Sequence, residues 1–249
     1  MKRTFADLHL CLNLKDTVAA SRVIVIDKSV ALGYGLIGVT FPPETREAEC
    51  AELRNVCTST GIDMASRVDL RPKTREQLVN QLRRLRRKFE VVSVLCENKE
   101  VARQAAKDRR VDLLSFPSID YKRRFFDRAE AELACKSLAA LEVEVKPLLV
   151  LEGPVRVRFL STLRREVAVA REFQVPVVVS SGVSSEMLLR KPRELAAVGS
   201  LFGLDEVSGL DAVSANPMVI VRRNREKLNR GFVAPGIRVI KEGRDCEED

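Results

Sequence analysis

The sequence predicts an α/β fold: a single irregular TIM-like (β/α) barrel over residues 1–241, followed by an acidic, mobile tail at 242–249. Three observations carry that prediction. Short apolar, β-branched runs alternate along the chain with amphipathic helical patterns. Strand starts recur about every thirty residues, the length of one β-α unit, which points to a parallel sheet. Seven such strands in 249 residues, with no low-complexity linker between them, fit a closed barrel better than an open sheet.

The strand-like runs lie at 4–10, 36–41, 62–70, 90–96, 111–116, 141–149 and 175–182. A helical pattern at 17–32 follows the first. The clearest helix spans 74–89, with Thr74 and Gln77 at capping-box spacing and Leu78, Leu82, Leu85 and Phe89 repeating on one face. Cys50 and Cys57, seven apart on a predicted helix, share a face and read as buried apolar residues. After the seventh strand, helices are expected at 185–201, from Asp205, and over NPMVIVRRNREK. A strand returns only at GIRVIKEG, 236–243, so the closure of the barrel is expected to be irregular.

Composition narrows the function. An apolar fraction of 45% is enough for a buried core and excludes a disordered chain. The net charge is +8, but EGRDCEED at the end contributes −4, so the first 241 residues carry +12. A body that basic suits a polyanion, either nucleic acid or an anionic membrane surface. No apolar run approaches the roughly 20 residues of a membrane span, and no signal-peptide pattern opens the chain. The six cysteines form no CxxC pair and no metal-finger spacing. Reduced thiols and a cytoplasmic setting are therefore expected.

Three motifs bear on chemistry. GYGLIG, residues 33–38, matches the dinucleotide fingerprint by letter. It follows a helix and opens a strand, however, where phosphate binding needs the reverse order. Gly33 and Gly35 read instead as a helix C-cap and turn. VPVVVSSGVSS, 175–185, could offer loop amides to a small phosphate around Ser180–Ser185. The simpler reading is that Ser184 or Ser185 caps the following helix. TFADLHLCLN, 4–13, places Asp7, His9 and Cys11 on alternate residues, three potential metal ligands on one strand face. The chain has one histidine in total, which leaves no second imidazole for a metal centre and no separate base for a nucleophile. No bound metal, no cofactor and no catalytic side chain are expected, and His9 reads as a structural barrel-end residue.

The cationic residues give the stronger signal. The 74–89 helix carries Arg83, Arg84, Arg87 and Lys88 opposite its apolar stripe. Further clusters lie at Lys107–Arg110, YKRRFF (121–126), RVR (156–158), Arg164–Arg165 and VRRNREK (221–227). In YKRRFF, aromatics flank three cations, a composition suited to phosphate contact with base stacking. Arg67 and Arg71 sit near the end of the third strand, at the rim that serves function in barrels. Clustering and expected placement nominate Arg67, Arg71, Lys122, Arg123, Arg124, Arg222, Arg223 and Arg225 as RNA contacts.

FADLHL, SRVDLRP, VDLLSFP (111–117), VVVSSGV followed by LRKPRELAAVGSLFGL, and ANPMVIVRRNREK (215–227) occur in this order. Together they resemble the archaeal ribonuclease P protein component 3 family, counterpart of the thirty-kilodalton protein of the eukaryotic enzyme, over about residues 3–240. That family is distantly similar to the polymerase and histidinol phosphatase barrel superfamily, whose members open with an H-x-H metal motif; Asp7 and His9 hold the matching positions here. The resemblance implies a subunit of a ribonucleoprotein that removes the 5′ leader from precursor tRNA. Its RNA subunit would do the chemistry with magnesium, while the protein stabilises that RNA and lowers the magnesium requirement. It also implies partners: ribonuclease P RNA, precursor tRNA, and other protein subunits, a small α/β one in particular. The competing readings are a metal-dependent phosphoesterase using Asp7, His9 and some of Glu97, Asp112 and Asp120, and a small-molecule barrel enzyme binding phosphate at Ser180–Ser185.

Overall fold

The structure, a computed structural model, describes residues 3–12, 19–118, 120, 123–229, 231–234 and 237–239. The expected acidic tail at 242–249 lies outside them. Strand and helix alternate as the sequence predicts: β1 (Ala6–Leu10), α1 (Ala19–Leu32), β2 (Leu36–Thr40), α2 (Glu47–Ser59), β3 (Asp63–Leu70), α3 (Arg75–Leu85), β4 (Val91–Leu95), α4 (Lys99–Lys107) and β5 (Leu113–Ser115). They continue with α5 (Arg128–Ser137), β6 (Ala140–Glu144), α6 (Lys146–Val150), α7 (Gly153–Glu172) and β7 (Val177–Ser180). The last elements are α8 (Pro192–Val198), α9 (Glu206–Ala212), α10 (Ala215–Leu228), β8 (Phe232–Ala234) and β9 (Ile237–Arg238).

The seven strands β1 to β7 pair in sequence order, all parallel. The sheet then curls so that the residues after β7 meet β1. Gly182 N–H donates to the His9 carbonyl at 3.1 Å and Cys11 N–H to the Val183 carbonyl at 2.9 Å. Asp7 Oδ1 accepts from Ser181 N–H at 3.0 Å, in place of a ladder carbonyl. The result is a nearly closed seven-stranded barrel. The register of β1 slips between Asp7 and Leu10, where it adjusts to this closure. Gly38 on β2 permits the same adjustment, since a Cβ there would sit 2.5 Å from the Leu8 carbonyl oxygen.

Two apolar layers hold the barrel. One lies between sheet and helices, where Ile37, Val39, Met64, Val68, Val92, Val94 and Leu141 meet helix faces such as Leu78, Leu82 and Leu85 of α3. Cys50, Leu53 and Cys57 of α2 are buried together, as their spacing requires. The other layer fills the barrel's interior at the N-terminal ends of the strands: Ala6, Leu8, Leu36, Ala65, Val91, Leu113, Ala140 and Val178. Ile220 and Val221 of α10 pack up against it, so α10 plugs that end of the barrel.

Three elements depart from expectation. The run 141–149 is strand only to Glu144; Pro147 has no N–H for a sheet ladder and falls in the first turn of α6 instead. The helix expected over 185–201 is broken at Lys191–Pro192 into a short 3-10 turn (Glu186–Leu188) and α8, because proline starts a helix but does not continue one. The strand expected at 236–243 supplies no eighth barrel strand among the described residues. Its described part, β9, pairs antiparallel with β8 in a separate hairpin.

Candidate functional site

Inward-facing side chains follow the two-residue period of the strands. On β3 this places Arg67 and Asp69 above Ala65, and on β6 Glu142 and Glu144 above Ala140. The polar layer thus lies directly above the apolar interior. Arg67 is 1% exposed and reaches across to β6. Its Nη1 and Nη2 donate to the two oxygens of Glu142 at 2.5 and 2.7 Å, its Nε to Asp69 Oδ1 at 2.6 Å, and Nη1 also to the Leu8 carbonyl at 2.9 Å. Ser93 of β4 and Ser180 of β7 donate to the same Glu142 oxygens at 3.2 and 2.8 Å. One guanidinium therefore ties β1, β3 and β6 together, and the serines add β4 and β7.

Above this layer a cavity of about 660 Å³ opens at the C-terminal ends of the strands. His9, Cys11, Asp69, Arg71, Glu144 and Lys146 line its polar part, and Phe41, Pro42, Pro147 and Leu151 its apolar rim. His9 Nε2 lies 3.1 Å from Asp69 Oδ2 and 3.2 Å from Cys11 Sγ, and Nδ1 lies 3.2 Å from Glu144 Oε1. Burial and the Arg67 charge disfavour imidazolium, yet Asp69, Cys11 and Glu144 overcome them and hold the His9 pKa well above its ordinary value. Burial alone would raise Asp69 and Glu144; Arg67 and His9 reverse that and hold both carboxyls below the usual range. Asp7 shows the opposite balance, with burial raising its pKa.

These distances test the metal reading. His9, Glu142 and Glu144 offer ligand atoms all within 4.8 Å of one another. Both Glu142 oxygens and one Asp69 oxygen, however, already accept charge-assisted bonds from Arg67. The ligands present do not fit a metal ion while that guanidinium holds them. Of the three strand residues singled out in β1, His9 and Cys11 converge, but Asp7 does not join them; its oxygen closes the barrel seam. The phosphoesterase set disperses further: Asp112 lies at the opposite end of the barrel, bonded to Arg86 and Arg223. The phosphate reading of Ser180–Ser185 meets the same difficulty. Ser180 is bonded to Glu142, the Ser181 and Gly182 amides to Asp7 and His9, and Ser185 caps only a 3-10 turn.

The eight cations nominated from sequence do not gather into one surface. Arg67 is internal. Arg124 is likewise buried, bidentate to Glu166 at 2.9 and 2.5 Å, bonded to the Phe116 and Pro117 carbonyls, and stacked on Phe116 and Phe159. Arg223 and Arg225 face the plugged end, where Arg223 pairs with Asp112, and Arg225 with Asp63 and Glu90. As placed, these four guanidiniums serve the fold, because each is bonded to internal acids. Arg71 is exposed beside the mouth cavity, Arg123 is exposed and paired with Asp120 at 3.2 Å, and Arg222 is exposed on α10. Lys122 lies outside the described residues.

A different set of cations converges at the plugged end. Arg86 and Arg87 after α3, Arg109 and Arg110 before β5, and Lys227 of α10 line a groove of about 640 Å³, with Phe232 and Val233 on its edge. Arg86 pairs with Asp112 and Arg110 with Asp108. Among the described residues no acid pairs with Arg87, Arg109 or Lys227. Partial burial and then the repulsion of Arg223 hold the Lys227 ammonium below its ordinary pKa, with Arg86 and Arg109 adding to it. All three residues belong to clusters visible in the sequence, but only the barrel's curvature brings α3, the turn before β5 and α10 together.

Fold and site together define a parallel α/β barrel protein with a guanidinium-filled mouth at one end and a cationic groove at the other. The family is defined by comparison. The model described as RNase P subunit p30 matches residues 5–229, and the chain belongs to that family. The ribonuclease P protein component 3 of Methanosarcina barkeri is 32% identical over 213 residues, covering 85% of this chain and 86% of that protein. Its Methanosarcina mazei counterpart is 32% identical over 185 residues, 74% of this chain and 76% of that one. Among solved structures, a chain in the cryo-EM structure of archaeal ribonuclease P with mature tRNA is alike in fold, with a TM-score of 0.82 at 21% identity over 95% of this chain and 99% of that chain.

Proposed function

We infer that this chain works as a protein subunit of ribonuclease P, the ribonucleoprotein that removes the 5′ leader from precursor tRNA. Its task is to hold RNA rather than to cut it. The observation that carries this reading is the groove at the plugged end, where Arg87, Arg109 and Lys227 converge with no acid partner among the described residues. RNA phosphates would supply the missing counter-charge, and Phe232 at the edge offers a face to a base or ribose. Magnesium at the RNA subunit would then supply the chemistry. Neutralising backbone repulsion lowers the magnesium that the RNA needs to fold. Other protein subunits, a small α/β one among them, are expected on the remaining surface. Arg71, Lys122, Arg123 and Arg222 stay candidates for phosphate contact. No helix among the described residues is long and apolar enough to cross a membrane, in keeping with such a role.

The test is precursor-tRNA cleavage by reconstituted ribonuclease P RNA and its partner proteins at limiting magnesium, with and without this chain. The chain should raise the rate or lower the magnesium requirement while cleaving nothing alone. Substituting Arg87→Ala, Arg109→Ala and Lys227→Ala together should weaken RNA binding and flatten its salt dependence, by about one unit of log–log slope for each phosphate no longer held. An unchanged slope in a folded triple variant would remove the groove from the interface.

A further inference from the structure

We propose that Arg67 stands in the barrel mouth as a built-in replacement for a divalent cation, and that the residues around it form a metal site which this guanidinium keeps shut. The argument begins with charge. Asp69, Glu142 and Glu144 bring three carboxylates to the interior ends of β3 and β6, with His9 from β1 between them. Burying such a group requires a cation bonded to several oxygens at once. Arg67 meets that need in the way an ion would, bridging Glu142, Asp69 and the Leu8 carbonyl at 2.5–2.9 Å from the centre of the barrel.

A second, independent observation concerns His9. Its Nδ1 is buried and makes no hydrogen bond, although Glu144 Oε1 lies 3.2 Å away and Glu142 Oε1 3.9 Å away. In the wild type this nitrogen faces the two carboxylates as part of an imidazolium; once deprotonated it would stand with them as one of three ligand atoms within 4.8 Å of one another. One imidazole and carboxylate oxygens suit Mn²⁺ or Zn²⁺. What excludes the ion is occupancy: both Glu142 oxygens are bound by Arg67. Removing the guanidinium leaves Glu142, Asp69, Glu144 and His9 facing a space of its size, with three carboxylates set against a single imidazole.

The experiment compares the full-length wild-type chain with Arg67→Ala and Arg67→Gln, each dialysed against chelator and titrated with Mn²⁺ or Zn²⁺ by calorimetry and thermal unfolding. The wild type should take up no metal at this site, and its unfolding midpoint should not move. The variants should bind one equivalent, and their lowered midpoints should rise by about 5–10 °C at a hundredfold excess over Kd. Adding Glu142→Gln to either variant should abolish the gain, which separates the mouth from adventitious binding on surface acids. If Arg67→Ala folds only when metal is present, that result also supports the proposal. A wild-type chain that retains stoichiometric metal at the mouth would overturn it. So would folded variants that bind none, or variants that metal cannot restore.

Discussion

Arg123 and Arg124 are neighbours in one basic cluster, yet the structure gives them opposite fates, and this is open to direct test. Arg124→Met keeps a straight apolar stem between Phe116 and Phe159 but removes the charge. Four hydrogen bonds disappear: two to Glu166, at 2.9 and 2.5 Å, and two to the Phe116 and Pro117 carbonyls, at 3.1 and 2.9 Å. Glu166, fully buried, is left without its cation. Breaking a buried pair from one side costs about 3–5 kcal/mol. In a domain of this size each kcal/mol lowers Tm by about 2–4 °C, so a fall of roughly 6–20 °C is expected. Arg123→Ala removes only an exposed pair with Asp120 and should cost less than about 1 kcal/mol. Urea and thermal unfolding measure both, and RNA binding is then compared below each variant's transition. A change under about 1 kcal/mol for Arg124→Met would refute the burial argument. So would reduced RNA affinity in a variant of unaltered stability.

Three further changes probe the frame of the barrel. Asp112→Asn strips the shared partner from Arg86 and Arg223 and should cost about 3–5 kcal/mol in urea unfolding, whereas Arg223→Met added to it should cost little more; simple additivity would show that the pairs are not coupled. Gly38→Ala drives a Cβ to 2.5 Å from the Leu8 carbonyl and should lose about 1–3 kcal/mol, with wild-type stability the result that denies the close approach. Glu130 has its carboxyl pushed up to about 7 by burial, only partly offset by Arg103. The unfolded chain therefore releases this proton first, and stability falls as pH rises from about 4.5 to 7, by no more than about 3 kcal/mol, then levels off. A Glu130→Gln variant should lack that slope, and an identical pH profile would show that Glu130 is not its source.

Much of the frame was legible because it rests on local rules. Thr74 accepts from Gln77 N–H as its spacing suggests, Asp205 caps α9, and strands recur at the β-α interval. The misreadings arose where a residue's partner is distant. KPLL after β6 is apolar enough for a strand, and only Pro147 signals the turn into α6. Of the strand expected at 236–243, the described Ile237–Arg238 is extended, but nothing local says that it pairs with β8 instead of entering the sheet. The arginines were hardest. Charge clusters show where cations are dense, not which of them point inward. One clue was available: an acid lies at the start of three successive strands, at Asp63, Glu90 and Asp112, and α10 carries Arg223 and Arg225 at a spacing that reaches all three.

That distribution of acids also locates the free charge. At the mouth, Arg67 is held by Asp69 and Glu142; in the shell, Arg124 by Glu166; at the plugged end, Arg225 by Asp63 and Glu90. Beside the groove, Asp108 holds Arg110, and Asp112 serves both Arg86 and Arg223. Among the described residues these acids are bonded to other arginines, and none pairs with Arg87, Arg109 or Lys227. Like charges a few ångströms apart in water repel by about 1 kcal/mol and are screened beyond roughly 8 Å at physiological salt. The chain can carry that cost and still fold, but a polyanion laid along the groove would remove it and release its own counterions. Among the described residues the barrel thus pairs the arginines buried in it with acids and leaves Arg87, Arg109 and Lys227 without an acid pair along an open groove. Total charge, which counts both kinds alike, could not separate them.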